Sequence, residues 1–487
     1  MAKAPSVRKN YIYNLIYQVM TLITPFITTP YISRVLGADG TGVQSYTNSV
    51  VQYFAILAAL GTASYGQREI ARHRDDMKDR SRLFWEIEIL CGATTAACLL
   101  IWLFVIGFAR EYRPYYIVLT MTLTAVAFDI SWFFGGLEQY SLIVLRNTAV
   151  KLVGIAMLFL FIRKKEDLLL YVALTAATGL LGNISMWGYL KGQVEKPVLR
   201  ELHPLRHLKE TLVYFIPTIA TSVYTILDKT MLGWFSGEDK SQNGYYEYAT
   251  GFVNMAKILI MSFNAVMSAR MSYLFGNGRM EEIHQRIRES LDFVLLMAIP
   301  IMLGLAGIAA QFIPWFLGSG YLPVTFLMYV CSPLVLVVGL SDCIGSQILT
   351  PGGKRAQSGK VIVAGAVVNA CLNFLLIPHF QASGAAAASV AAECFITALY
   401  LWLGRDFIKL KMLVTYGWKR LFAAVVMLGA VVWTGQFLEQ VRGLGPITTF
   451  IQIGTGAAVY FVVLLAMRDS FLYHYLGKII QKFTGMQ

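Results

Sequence analysis

The sequence predicts an all-α, polytopic membrane protein of about fourteen transmembrane helices. Three observations predict it. Apolar residues make up 56% of the chain and charged residues 14%, against about 25% charged in ordinary globular proteins. The apolar residues fall in repeated runs of about 20, the length that crosses about 30 Å of hydrocarbon. Lys and Arg gather in short stretches between the runs, chiefly in alternate ones. A soluble fold of 487 residues would lack the charge to cover so much apolar surface, whereas a bilayer accepts it as a lipid-facing side.

By span length, helices are expected at 11–34, 43–66, 84–108, 115–136, 142–162, 168–190, 211–236, 246–274, 290–312, 322–349, 359–378, 384–404, 416–437 and 446–467. The basic start, 1–9, leads into an apolar run too long for a signal-peptide core, so the first helix is expected to be retained. Pro25 and Pro30 in the first helix, Pro217 in the seventh and Pro333 in the tenth are expected to interrupt their spans. With the N-terminus inside, the inner segments carry about 31 of the 41 basic residues and the outer loops about 8, leaving Lys229 and Lys257 within spans. That bias puts both termini on the cytoplasmic side of the cell (inner or plasma) membrane. The charge-mixed loop 68–82 is expected to form a short solvated helix, and no loop outside the membrane is long enough for a domain.

The expected organisation is a six-helix lobe over 1–195, a second over 205–408, and two additional helices with a cytoplasmic tail over 412–487. A short internal repeat supports two related lobes. Val35-Leu36-Gly37 is followed by Gly42 and Tyr46, and Met231-Leu232-Gly233 by Gly244 and Tyr248.

Several function classes are excluded. The net charge of +13 resides in topology-setting loops rather than on a basic module interleaved with aromatics, so no nucleic-acid partner is expected. The six cysteines lie in apolar runs without a CxxC pair and read as small hydrophobes. Around Gly352, Gly353 and Lys354 the glycine spacing is wrong for a phosphate loop, and Val361 stands where Ser or Thr would hold magnesium. His203 and His207 have helical spacing but no third ligand, and read as a solvated loop feature, as does the pair Asp75 and Asp76. No catalytic residue, cofactor or metal site is expected.

Charges inside spans are the informative exceptions, because each costs about 2.5–3.5 kcal/mol to insert. Arg34, Lys229, Lys257 and Arg270 are staggered across the membrane and would suit an anionic phosphate head group, with lysine as a point charge and arginine as a forked donor. Against that, Asp228 and Lys257 lie at similar depths and could neutralise one another. Asp129, Asp228, Asp342 and Glu393 are the candidates for coupling an ion to a conformational change; Asp292 and Glu393 stand near span ends, where pairing is the plainer expectation. Asn14, Gln18, Ser45, Tyr46, Asn48, Asn254, Asn264 and Asn369 could line a hydrated sugar path or hold helices together.

Several ordered segments carry a resemblance. They include Pro25, Pro30, Arg34, Gly37 and Gly42 in 25–42; Asp129, Trp132, Gly135 and Glu138 in 129–138; and Asp228, Lys229 and Gly233 with Asn243 and Gly244. Later come Gln347, Pro351 and Gly352, then Asn373 and Pro378 with Gly384. Together they resemble the polysaccharide (O-antigen and capsule, Wzx-like) flippases of the multidrug/oligosaccharidyl-lipid/polysaccharide exporter superfamily. The resemblance implies a non-enzymatic transporter whose two six-helix lobes alternate access. Its implied cargo is an undecaprenyl-pyrophosphate-linked oligosaccharide, moved from inner to outer leaflet, with H+ or Na+ as coupling ion. It also implies polysaccharide polymerase and glycosyltransferase partners. A MATE-type exporter of small cations is the nearest alternative, and Lys229 and Lys257 argue against it. A polymerase or ligase of the same pathway would resemble proteins with long external loops, which this chain lacks.

Overall fold

In a computed structural model, which describes residues 7–473, all regular secondary structure among the described residues is helical. Each expected span meets a helix. The first two are arms of one long element, α1 (Val7–Ala59), divided at Gly37 with φ 72°. Pro25 and Pro30 do not interrupt the first arm, which stays helical to the glycine; Ser33 and Arg34 donate side-chain bonds to the Pro30 carbonyl at 3.2 and 3.3 Å. The second span is completed by α2 (Thr62–Arg72) after a left-handed step at Leu60 and Gly61. The segment 68–82, expected to form a short helix of its own, is instead divided between the end of α2 and the start of α3 (Met77–Phe108), which Asp76 caps by accepting from the Lys78 and Asp79 amides.

The fourth span is α4 (Arg113–Thr124), a 3₁₀ turn over Ala125–Phe128, a break at Asp129 and α5 (Ser131–Gly136). It is followed by α6 (Tyr140–Phe161), α7 (Leu168–Trp187) and α8 (Leu208–Phe235). The chain continues with α9 (Ser241–Gly276) and α10 (Met280–Phe316). The tenth span bends by 42° between α11 (Leu322–Cys331) and α12 (Leu334–Ile344), where Pro333 is expected to break it. A π segment over Gly345–Leu349 ends it. The 49 residues of α13 (Arg355–Leu403) would measure about 74 Å as one straight rod. They form two arms instead, because Gln381 leaves helical geometry at φ 50°. The last helices are α14 (Leu410–Arg442) and α15 (Pro446–Ala466). Pro217, Asn14 and Gln18 lie outside the residues whose side chains are described.

The chain divides into two compact units, Met1–Gly244 and Tyr245–Gln487. Helix α8, expected to open a second lobe after 205, packs along α1 in the first unit. That unit holds two cores. One surrounds Trp102 with Ile32, Val51, Leu119 and Leu123; the other stacks Phe84, Trp132, Phe133 and Phe134 against Ile70 and Met186. In the second unit α14 and α15 pack on α10. A Cβ at Gly307 would meet Leu428 and Val431 at 3.0 Å, so the backbones approach closely. Lipid tails are as apolar as leucine, so such contacts rely on small residues and polar links rather than on burial from water. The links here are Gln452 donating to Gln311 at 3.2 Å and Trp315 to Thr449 at 2.8 Å. Arg420, buried, spans Asp292 at 2.8 Å and Asp469 at 3.5 Å, so Asp292 is paired as expected.

One side of α6 is apolar and exposed, at Leu145, Leu152, Val153 and Leu160, as suits a helix that meets lipid there. The protein is a multi-pass membrane protein.

Candidate functional site

One cluster of charge in the first unit, Lys240 with Asp39, Glu111 and Asp239, stands near the kink of α1. Opposite Gly37 lies the turn joining α8 to α9, and Lys240 is buried at its centre. Its amide donates to the Asp39 carboxylate at 2.9 Å. Its Nζ donates to the carbonyl of Gly233 at 2.6 Å and to that of Gly237, and stands 5.0 Å and 5.6 Å from the ring centres of Tyr46 and Tyr112. Burial pushes the ammonium below its ordinary range, opposed by the charges of Glu111, Asp39 and Asp239. Glycines make the approach possible. A Cβ at Gly42 would sit 1.7 Å from the Lys240 carbonyl oxygen, and one at Gly244 would sit 2.2 Å from that of Ala38. Gly233 lies as tightly against Tyr46. The repeated glycines therefore meet reciprocally, each packing against the turn of the other repeat.

Lys229 and Asp228 lie one to two turns before the end of α8. Asp228 is buried and Lys229 half-buried, and the Lys229 carbonyl accepts from Asn243 at 2.6 Å. Arg34 is exposed near the end of the first arm of α1. Asp129 accepts from the Ser131 amide at 3.0 Å and so shapes the break before α5.

In the second unit Lys257 of α9 lies within electrostatic reach of Glu393 in α13. Asp342 of α12 accepts from Asn264 at 2.9 Å, and Asn264 in turn accepts from Gln347 at 2.9 Å. Asn264 and Gln347 are fully buried. Asp342 has no basic partner among the described residues. Arg270 instead reaches Glu282 at 3.5 Å, at the start of α10, with its side chain about half exposed. Of the uncharged polar residues, Ser45 and Asn369 are buried, Tyr46 and Asn48 half-buried and Asn254 exposed.

Residues 7–274, more than half of the chain, match a family described as polysaccharide biosynthesis proteins. The chain belongs to that family. A relative in Escherichia coli K12, named a putative O-antigen transporter, is 23% identical over 82% of this chain and 97% of its own length. The lipid II flippase MurJ, in an inward closed conformation, superposes with a TM-score of 0.71 at 14% identity, covering 94% of this chain and 99% of that one. An inward-facing multidrug resistance MATE transporter follows at a TM-score of 0.62 and 13% identity, over 81% and 97%. The two structures establish the fold. The polysaccharide family and its relatives bear out the resemblance carried by the ordered motifs, and place the chain among transporters rather than enzymes.

Within this polysaccharide family member, several charges were missed from sequence. Arg146 and Lys151, counted with the inner segments, lie inside α6; Lys151 donates to Thr21 at 2.6 Å and Arg146 to Asn183 at 3.1 Å. Two basic residues in one apolar run were the available signal. Glu86 and Glu88 are buried in α3, where alternation with apolar neighbours masked them. His207 is not a solvated loop residue. It is buried, bonded to Glu86 at 2.8 Å and to the Tyr65 hydroxyl at 2.7 Å, because Glu86 collects Arg82, Arg206, His207 and the His203 amide around one carboxylate. Glu86→Ala is expected to destabilise the protein by about 3 kcal/mol, since it leaves Arg82 and Arg206 without their counter-charge and the buried His207 without its acceptor. Denaturant unfolding in detergent checks this, and an unchanged midpoint would show the cluster to be dispensable.

Proposed function

We propose that this transporter is a flippase for undecaprenyl-pyrophosphate-linked oligosaccharide, carrying repeat units from the inner to the outer leaflet by alternating access of two six-helix lobes. The observation that carries the reading is the presence of lysines within spans, Lys229 and Lys257, in a member of the polysaccharide family. An ammonium at that depth is costly unless an anion meets it; Glu393 lies beside Lys257, and a pyrophosphate is the further anion such a cargo would bring. Arg34 and Arg270, at helix ends, would guide the head group in and out. An apolar groove of about 380 Å³ beside Met297, Ile301, Met427 and Phe461 suits a prenyl chain that stays among lipid.

Both termini are cytoplasmic in this reading, so the Gly42–Lys240 contact closes the outer end. An ion gradient drives turnover. Asp342, held by the Asn264 amide, is the acid best placed to take H+ or Na+, whereas Glu393 lies beside Lys257 and Asp129 shapes a helix break. Asp228 remains a second coupling candidate.

Proteoliposomes holding an undecaprenyl-pyrophosphate oligosaccharide, with an imposed proton or sodium gradient, test the reading. Sugar is expected to appear on the opposite face only with protein present, and Lys229→Ala or Lys257→Ala should each slow it about tenfold or more through loss of a charge-assisted contact. Transport at the wild-type rate in both variants would remove the cationic path. No movement above empty liposomes with folded protein would remove the flippase.

A further inference from the structure

Two neighbouring cavities lie inside the first unit. One, of about 140 Å³, is bordered by Gln44 and Asn48 of α1 together with Thr175 and Gly179 of α7. The other, of about 240 Å³, shares Thr175 and Gly179 and adds Lys151 of α6 and Thr178. Gln44 and Asn48 lie about 10–17 Å along the second arm of α1 from its kink at Gly37, and Lys151 about 15 Å from the end of α6, so the cavities are at mid-membrane depth.

Their polar groups are arranged for an outside partner. Among the described residues the side-chain amides of Gln44 and Asn48 have no hydrogen-bond partner. Amides left so in a membrane interior cost free energy unless water or a ligand meets them. Thr175 and Thr178 donate their hydroxyls to the Tyr171 and Leu174 carbonyls, at 2.9 and 2.6 Å, and so keep acceptor lone pairs for the cavity. The wall thus offers amide donors and acceptors, hydroxyl acceptors and one ammonium. That set complements a sugar, whose hydroxyls both donate and accept. A lipid tail would leave the Gln44 and Asn48 amides unmet.

We propose that this double cavity is a saccharide-binding subsite, in which Gln44 and Asn48 bond sugar hydroxyls and Lys151 receives an acidic group on the glycan. The inference rests on the reading that the cargo is glycan-bearing, and it assigns the glycan to residues distinct from those proposed for the pyrophosphate. Gly179 has open space where a Cβ would stand, so a larger side chain there fills the cavity without meeting backbone.

The test measures binding of water-soluble citronellyl pyrophosphate, bare or bearing neutral or uronic-acid-containing di- to pentasaccharides, to the purified full chain. Wild type is expected to bind at least one glycan probe about tenfold more tightly than the bare probe, and Asn48→Leu and Gly179→Leu to abolish that gain while leaving bare-probe affinity unchanged. Lys151→Met should remove only the preference for acidic over neutral glycans. Variants that keep the wild-type gain, or a wild type that binds glycan and bare probes alike, would overturn the subsite. A wild type that binds no probe at all would instead overturn the flippase reading. Unchanged elution and melting of both cavity variants separate lost binding from misfolding.

Discussion

Asp342→Asn is expected to abolish the response of transport to an ion gradient. Asparagine keeps the shape of the side chain and can still bond Asn264, so the helices around α12 should remain in place. It cannot take up a proton or offer a full negative charge to sodium. Coupling between an ion site and a cargo site is a free energy, commonly about 1–3 kcal/mol, and its removal should lower gradient-stimulated flipping by up to about 100-fold. Exchange of cargo without a gradient should survive, because the cationic residues are untouched. The measurement is the leaflet assay with and without the gradient. A variant that gradients still accelerate as they do the wild type would clear Asp342 of this role and move attention to Asp228.

Gly42→Val is expected to prevent closure of the end of the first unit that carries the α1 kink. Its side chain would occupy the space of the Lys240 carbonyl, a backbone group that cannot rotate away. Overpacking of this kind costs about 1–3 kcal/mol when neighbours can shift, and more when they cannot. The turn must therefore lift, taking with it the Lys240 ammonium and its bonds to Gly233 and Gly237. Thr41, 4% exposed beside Gly244, reports on this. In a protein otherwise free of cysteine, a Thr41→Cys thiol should react slowly with a membrane-impermeant maleimide. Adding Gly42→Val should raise that rate about tenfold or more, the factor expected when a closed state loses about 1.4 kcal/mol. Gly251→Ala, a glycine with open space around it, should leave labelling unchanged. Equal labelling in all three proteins would mean that the turn is not a closure.

The helix pattern was legible because a bilayer imposes it. Every backbone bond must be met within a span, so length and apolarity alone mark the segments. Even the division of α13 came at the expected place, since the run 379–383 interrupts two apolar stretches and Gln381 takes the turn. Proline proved a weaker guide. Pro333 accompanies a bend, whereas Pro25 and Pro30 sit in continuous helix and Gly37 makes the break.

The candidate site was only partly legible. Composition revealed that Lys229, Lys257 and Asp342 stand in apolar runs, but not what faces them. Lys257 has Glu393 nearby from a residue 136 positions later, and Asp342 takes its bond from Asn264, 78 positions earlier. The glycine repeat was visible as a pattern of spacing, while its reciprocal fit, Gly42 on Lys240 and Gly244 on Ala38, was not.

By itself the sequence determined that this protein lives in a membrane, roughly where its helices run, and which polysaccharide family it belongs to. These depend on local hydropathy and on ordered motifs, which any stretch of chain displays without its neighbours. Only tertiary structure decided that His207 is buried against Glu86, that Lys240 fastens a turn, and that Gln44, Asn48 and Lys151 border two adjoining cavities. Those facts depend on which helix faces come together, and in lipid that is settled by small residues and polar bonds between distant segments rather than by hydrophobic periodicity.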